Sequence, residues 1–327
     1  MKSKKLSSRL LTILFLVVLY TVVAAMLYTG NMGRQLTNMI ISISMYIVLA
    51  VSLNLVVGLL GELSLGHAGF MAAGLFSGCL LSIKLCGVVP DALRIIISMI
   101  VGGLVAALFG FIVGLPTLRL KGDYLAITTL ASCEIIKSII TNLKITGGAR
   151  GLNTSDIFSS TKVLLPYAIV LVFLTVIVMM NIKKSPQGRA IMAIRDNTIA
   201  AESVGINVAE YKLRVFIIAA FFAGAAGVLY GHCFSNVQPS GFDYNMSIEI
   251  LVIVVLGGMG NILGSVVAAI VLRALPELLR GFEDYRMLAY ALVLILVMVI
   301  SNNPQVQAFK YKVLGKMKKE SKEGQNE

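Results

Sequence analysis

Apolar runs of membrane-spanning length recur along nearly the whole chain, and they leave few folds open. Clean runs occupy residues 10–28, 36–58, 93–115, 163–181, 213–233 and 286–300. About 20 apolar residues cross the hydrocarbon of a bilayer as a helix. Backbone polar groups have no water to bond to there, so a chain with many such runs folds as a bundle of helices. Three further stretches are apolar but interrupted. Residues 63–83 carry Ser64, His67 and several glycines, 123–142 carry Asp123, Glu134 and Lys137, and 247–275 is cut by "GGMGNILG". Only 13% of the residues are charged against 57% hydrophobic, whereas a soluble domain carries about 25% charged residues. The chain is expected to be an all-α, polytopic membrane bundle.

The net charge of +12 does not indicate nucleic acid. The basic residues sit at the chain ends and between apolar runs, with no aromatic-interleaved patch. They read as cytoplasmic flanks of membrane spans. The N-terminal Lys2, Lys4, Lys5 and Arg9 have no acidic neighbour, so the N-terminus is expected in the cytoplasm, followed by an uncleaved first span. Counting from there puts "RLKGD" (119–123) and residues 185–214 inside as well. The basic tail also belongs inside, which requires an even number of crossings. Splitting 247–275 at its glycines supplies the missing one and makes about ten. The transmembrane domain is then expected to be 1–309, with residues 310–327 a disordered basic cytoplasmic tail.

Little conventional chemistry is encoded. Cys79, Cys86, Cys133 and Cys233 lack metal-type or CxxC spacing, and His67 and His232 are the two histidines. No metal or other cofactor is called for, and small packing thiols suffice. Neither GxxxxGK[ST], GxSxG nor HExxH occurs, so an enzyme reading has no support and any ATP hydrolysis must come from another subunit. Glu134 and Lys137 share a helical face, either as part of a relay or as a structural ion pair. "GLLGELSLGHAGF" (58–70), with Ser64, Gly66 and His67, and "GGMGNILG" (257–264), with Gly257, Gly258 and Gly260, form a glycine-interrupted segment in each half. Such pairs mark a transporter's central pathway or close helix packing.

The polar stretch "SPQGRAIMAIRDNTIAAESVGINVAEYKLR" (185–214) stands apart. Apolar residues at Ile191, Ile194, Ile199 and Val204 predict two short amphipathic helices beside the membrane. Gly188 and Arg189 are expected to precede the first, Asp196-Asn197 to form a turn or cap before the second, and Gly205 to stop it. The pair either caps the bundle or docks a cytoplasmic partner through Arg195, Asp196 and Glu202.

The whole then resembles the branched-chain amino acid ABC transporter permeases. The carriers are "LNLVVGLLGELSLGHAGFMAAG", "PTLRLKGDYLAITTLASCEIIKSIITN" with "TGGARGLN", "GRAIMAIRDNTIAAESVGINVAEYKLRVFIIAAFFAGAAGVLYG" and "MSIEILVIVVLGGMGNILGSVVAAIVLRALPELLR". They stand in family order between about Leu53 and Arg280, and the second block is similar to the M-type permease. The family often has Gln where this chain has Glu62. The resemblance implies a type II ABC importer permease in a bacterial cytoplasmic membrane, with both termini cytoplasmic. It implies an H-type permease partner, two ABC ATPases and an extracytoplasmic substrate-binding protein, with the lipid bilayer as surroundings. By the same resemblance Gly188, Arg189, Arg195, Asp196, Ala200, Ala201, Glu202 and Gly205 belong to the ATPase-coupling loop. Permeases for urea and short-chain amides share these signatures. A carrier driven by an ion gradient through Glu134, Lys137 and His67 is the competing class.

Overall fold

The computed structural model describes residues 34–120 and 122–278, with positions 17, 20, 21, 291, 292 and 295 besides. The spans expected at 10–28 and 286–300 and the tail 310–327 lie outside the described residues, apart from those isolated positions. The chain divides into two compact units, Met1–Arg273 and Ala274–Glu327. The helix contacts that build the bundle lie within the first unit.

Ten α-helices are described. They are α1 (Arg34–Asn54), α2 (His67–Lys84), α3 (Asp91–Thr117), α4 (Asp123–Asn142), α5 (Thr161–Lys184), α6 (Pro186–Asp196), α7 (Thr198–Ser203), α8 (Val208–Cys233), α9 (Tyr244–Gly257) and α10 (Ile262–Leu278). A π-helical turn, Leu55–Leu60, extends α1. Among the described residues six helical segments are long and apolar enough to cross a membrane. The chain is therefore a multi-pass membrane protein.

Burial orders the bundle. The segment Asn38–Leu60 is 89% buried and forms the centre, whereas Asp91–Thr117 is 33% buried and turns an apolar face outward. Leu104, Leu108 and Ile112 on that face are all more than half exposed, as expected of a surface that meets lipid. Lipid tails are as apolar as leucine, so close packing has to hold such helices together. Small residues provide it where α2, α3 and α8 converge. A methyl group on Gly74 would fall on the backbone of Gly224, and one on Gly102 would meet the carbonyl of Gly74.

The loops sort onto two ends of the bundle. At one end a short ladder pairs β1 (Leu152–Asn153) with β2 (Asn236–Val237), antiparallel, in register Leu152↔Val237. Thr154 reinforces it, its amide bonding to the Ser235 carbonyl at 2.9 Å and its hydroxyl to the Phe234 carbonyl. At the other end the residues after α1, the α6–α7 pair and the α9–α10 turn meet. This is the alternation of loops that the span count requires between residues 58 and 261. The split of 247–275 is also present, since α9 ends at Gly257 and α10 starts at Ile262.

Gly74→Val is expected to force α2 and α8 apart at a cost of about 1–3 kcal/mol. Thermal unfolding of the detergent-solubilised protein should show a lower midpoint than wild type.

Candidate functional site

The end of the bundle carrying α6 and α7 brings together three segments distant in sequence. The first is the break after α1. Its π turn closes at Gly61, which has φ +80°, and an extended stretch leads to Gly66 at the start of α2. The second is the turn between α9 and α10, where Gly258 and Gly260 have φ +89° and +79°. Left-handed values like these suit residues without Cβ. The third is the α6–α7 pair itself.

The two breaks touch, and Asn54 joins them. Its Oδ1 accepts from the Gly260 amide at 2.7 Å, while its Nδ2 donates to Ser265 Oγ at 2.6 Å and to the Asn261 carbonyl at 3.2 Å. Gly58 packs so closely against Gly260 that no side chain fits between them. An interrupted helix exposes backbone donors and acceptors that must find protein partners, and here the Asn54 side chain of α1 supplies them to the second break.

Two cations, one on α6 and one at the end of α5, complete the junction. Arg195 on α6 donates from Nη1 to the Gly58 carbonyl at 3.1 Å, its stem lying against Gly61, and it also pairs with Asp196 at 3.1 Å. Lys183, at the end of α5, donates to the Gly260 carbonyl at 2.5 Å. Lys212 on α8 forms an ion pair with Glu62. Its side chain is only 5% exposed, so the acid answers a buried cation.

Local sequence explains the helix pair. Ser185 caps α6 by accepting from the Gly188 amide at 3.0 Å, with Pro186 in the first turn. Gly188 and Arg189 thus lie inside α6 and do not precede it, because Ser-Pro is itself a helix start. Gly188 is buried against the α5 terminus, where a Cβ would strike the Ile182 carbonyl. Asn197 caps α7 through the Ala200 amide at 3.1 Å, and Gly205 follows the helix with φ +86°. Ile191, Ile194 and Ala201 face inward and are buried, whereas Ile199 and Val204 are 77% and 74% exposed. The apolar spacing therefore misplaces Ile199 and Val204. Ala200 and Glu202 are exposed beside them, leaving a small apolar face with an acidic edge.

The remaining sequence candidates lie at the far side of the first break or beyond it. His67 is buried at the start of α2 and bonds to Ser52 Oγ at 2.8 Å. Ser64 Oγ is buried without a hydrogen-bond partner among the described residues. Gly66 precedes His67 and packs against Thr129 of α4. Glu134 and Lys137 form an ion pair along α4, away from the junction. Asn54 and Lys183 are junction residues that spacing did not single out. Asn54 had a signal, being an amide side chain inside an apolar run one helical turn before Gly58.

A model of the family described as branched-chain amino acid transport system / permease component matches residues 35–301. The chain is 36% identical to the high-affinity branched-chain amino acid transport system permease protein LivM of Escherichia coli, over 88% of this chain and 73% of that protein. It is 29% identical to the probable LivM of Methanocaldococcus jannaschii, over 72% and 69%. It is 22% identical to LivH of Salmonella typhimurium, over 84% and 96%. No solved structure matches.

Replacing Asn54 with Ala should orphan the Gly260 amide. An unsatisfied buried group costs about 1–3 kcal/mol, so the unfolding midpoint is expected to fall. Amide exchange of the purified variant should rise at 258–261 before it rises in α8.

Proposed function

The chain belongs to the branched-chain amino acid transport system permease family, and from that premise we propose that it is one permease subunit of an ATP-driven importer of branched-chain amino acids. It forms half of the pathway, with an H-type permease as the other half. Two ABC ATPases dock on the α6–α7 end, and an extracytoplasmic binding protein delivers substrate at the opposite end. The complete chain crosses a bacterial cytoplasmic membrane about ten times, in the type II importer manner, with both termini inside.

The observation that carries this reading is the two-sided character of α6–α7. Outward it offers Ile199, Val204 and Glu202; inward it places Arg195 on the Gly58 carbonyl. Orientation follows from Lys183, Lys184, Arg189 and Arg195 at that end, which the positive-inside rule assigns to the cytoplasm. Nucleotide shifts the permease between outward and inward states only if the ATPase contacts those states differently. A docked helix pair bonded to both glycine breaks, directly through Arg195 and by way of α5 through Lys183, gives that difference a mechanical route.

A gradient-driven carrier has no need of this surface, and Glu134 and Lys137 neutralise one another on α4. The binding of urea or short amides is tested by competition. Uptake in cells regaining this chain should be competed by leucine, isoleucine and valine and left unchanged by urea and acetamide.

Ile199→Asp and Glu202→Lys should each lower substrate-stimulated ATP hydrolysis of the assembled complex by about tenfold, taking about 1.4 kcal/mol as lost at the contact. Both variants should remain inserted in the membrane. Unchanged stimulation in both would reduce α6–α7 to a cap on the bundle.

A further inference from the structure

At the end opposite α6–α7 a cavity of about 550 Å³ opens among α1, α8, α9 and the 234–243 loop. Among the described residues its lining carries two acids and one base, Asp243 serving as the α9 cap and Glu249 facing Arg273. Glu249 of α9 and Arg273 of α10 pair at 3.1 Å, each side chain 30% exposed. Both are clamped from outside the pair. Tyr46 OH donates to Glu249 Oε2 at 3.1 Å, Arg273 Nε donates to Ser42 Oγ at 3.1 Å, and the guanidinium lies 4.1 Å from the centre of the Tyr46 ring.

An ion pair held between membrane helices gives a fold little net stability, because desolvation offsets the attraction. Ionisable groups in such helices mark ligand or ion pathways by default. Among the described residues the pair also retains unused capacity. The bonds named engage Nε–H and one Nη1–H of a guanidinium that has five N–H donors, and each Glu249 oxygen has a further lone pair. The rest of the wall is mixed, apolar at Tyr230, Phe242 and Met246 and polar at Asn236, Gln238, Ser240 and Asn245. The volume falls in the range of small-molecule sites.

A ligand matching this pair carries one cationic donor and one anionic acceptor a few bonds apart, with an apolar remainder. We infer that the Glu249–Arg273–Tyr46 cluster is a transient receiving site for the zwitterionic head group of an α-amino acid. Glu249 takes the ammonium, Arg273 takes the carboxylate and the apolar side of the wall takes the aliphatic side chain. The site rests on the importer reading given above and adds a selectivity element within the permease itself. At 1.5 Å rise per residue, Glu249 and Arg273 lie about 12 Å and about 16 Å along their helices from the glycine break. The site is thus on the outer side of the junction to which α6 is bonded.

The test is leucine binding to the assembled permease–ATPase complex in nanodiscs without binding protein. Radiolabelled leucine is the probe, with leucinamide (no carboxylate) and 4-methylpentanoate (no ammonium) as competitors. Wild type should bind leucine and prefer it to both analogues by about tenfold or more, the size of one charge-assisted hydrogen bond. Glu249→Gln should abolish the advantage over 4-methylpentanoate, and Arg273→Gln the advantage over leucinamide. If either variant fails to assemble, the analogue competition on wild type decides alone. Equal binding of leucine and the analogues, or no leucine binding, overturns the site. ATP-driven leucine uptake by the same wild-type complex with its binding protein separates the two claims. Uptake without head-group preference removes only the receiving site, and absence of uptake removes the importer reading with it.

Discussion

A helix interrupted inside a membrane protein leaves amide and carbonyl groups that need protein partners, and the α6–α7 end of this bundle is built around that requirement. Two interruptions occur, after α1 and between α9 and α10, and they are packed against each other. Asn54 supplies both an acceptor and donors to the second break. Arg195 and Lys183 satisfy a carbonyl of each. Glycine is required at Gly58 because the Gly260 backbone occupies the place of a side chain. The junction is therefore one cooperative unit, and a shift in any of its three segments has consequences for the other two.

That cooperativity makes the α6–α7 pair more than a surface feature. Its outer face is apolar with an acidic edge, and its inner face is bonded to the break that follows the most buried helix of the bundle. A partner that pulled or rotated the pair would act on the Gly58 carbonyl through a single side chain. The same partner would act on Gly260 through the α5 terminus, which Gly188 locks to α6 by close packing. On the proposed reading, ATP-driven closure reaches the pathway by these two contacts and reaches the outer cavity along α9 and α10.

Much of this was legible in local chemistry. Asn197 and Gly205 marked the turn and the stop of the helix pair because capping and left-handed backbone leave residue-level signatures, whereas its start at Ser185-Pro186 lies earlier than expected. Glycine clusters disclosed both breaks, and the bundle itself shows that the two meet. Other features were hidden for physical reasons. Ile199 and Val204 have the spacing of a packed face, yet a helix of one and a half turns has too few contacts to bury both sides. Glu249 and Arg273 lie near the ends of an apolar run, where a charge is cheap, so nothing in the run announces that they meet. Asn54 and Gly260 are separated by most of the chain, and their contact depends on the bundle closing.

The central claim is that the helix pair and the glycine breaks move as one. Hydrogen exchange on the assembled importer, with and without ATP bound to hydrolysis-deficient ATPases, tests it most directly. Exchange at 58–62 and 258–261 should change together with exchange in α6–α7. In a Lys183→Ala, Arg195→Ala double variant the change should be confined to α6–α7. Nucleotide-dependent protection of α6–α7 in wild type, with both breaks unaltered, would contradict the account.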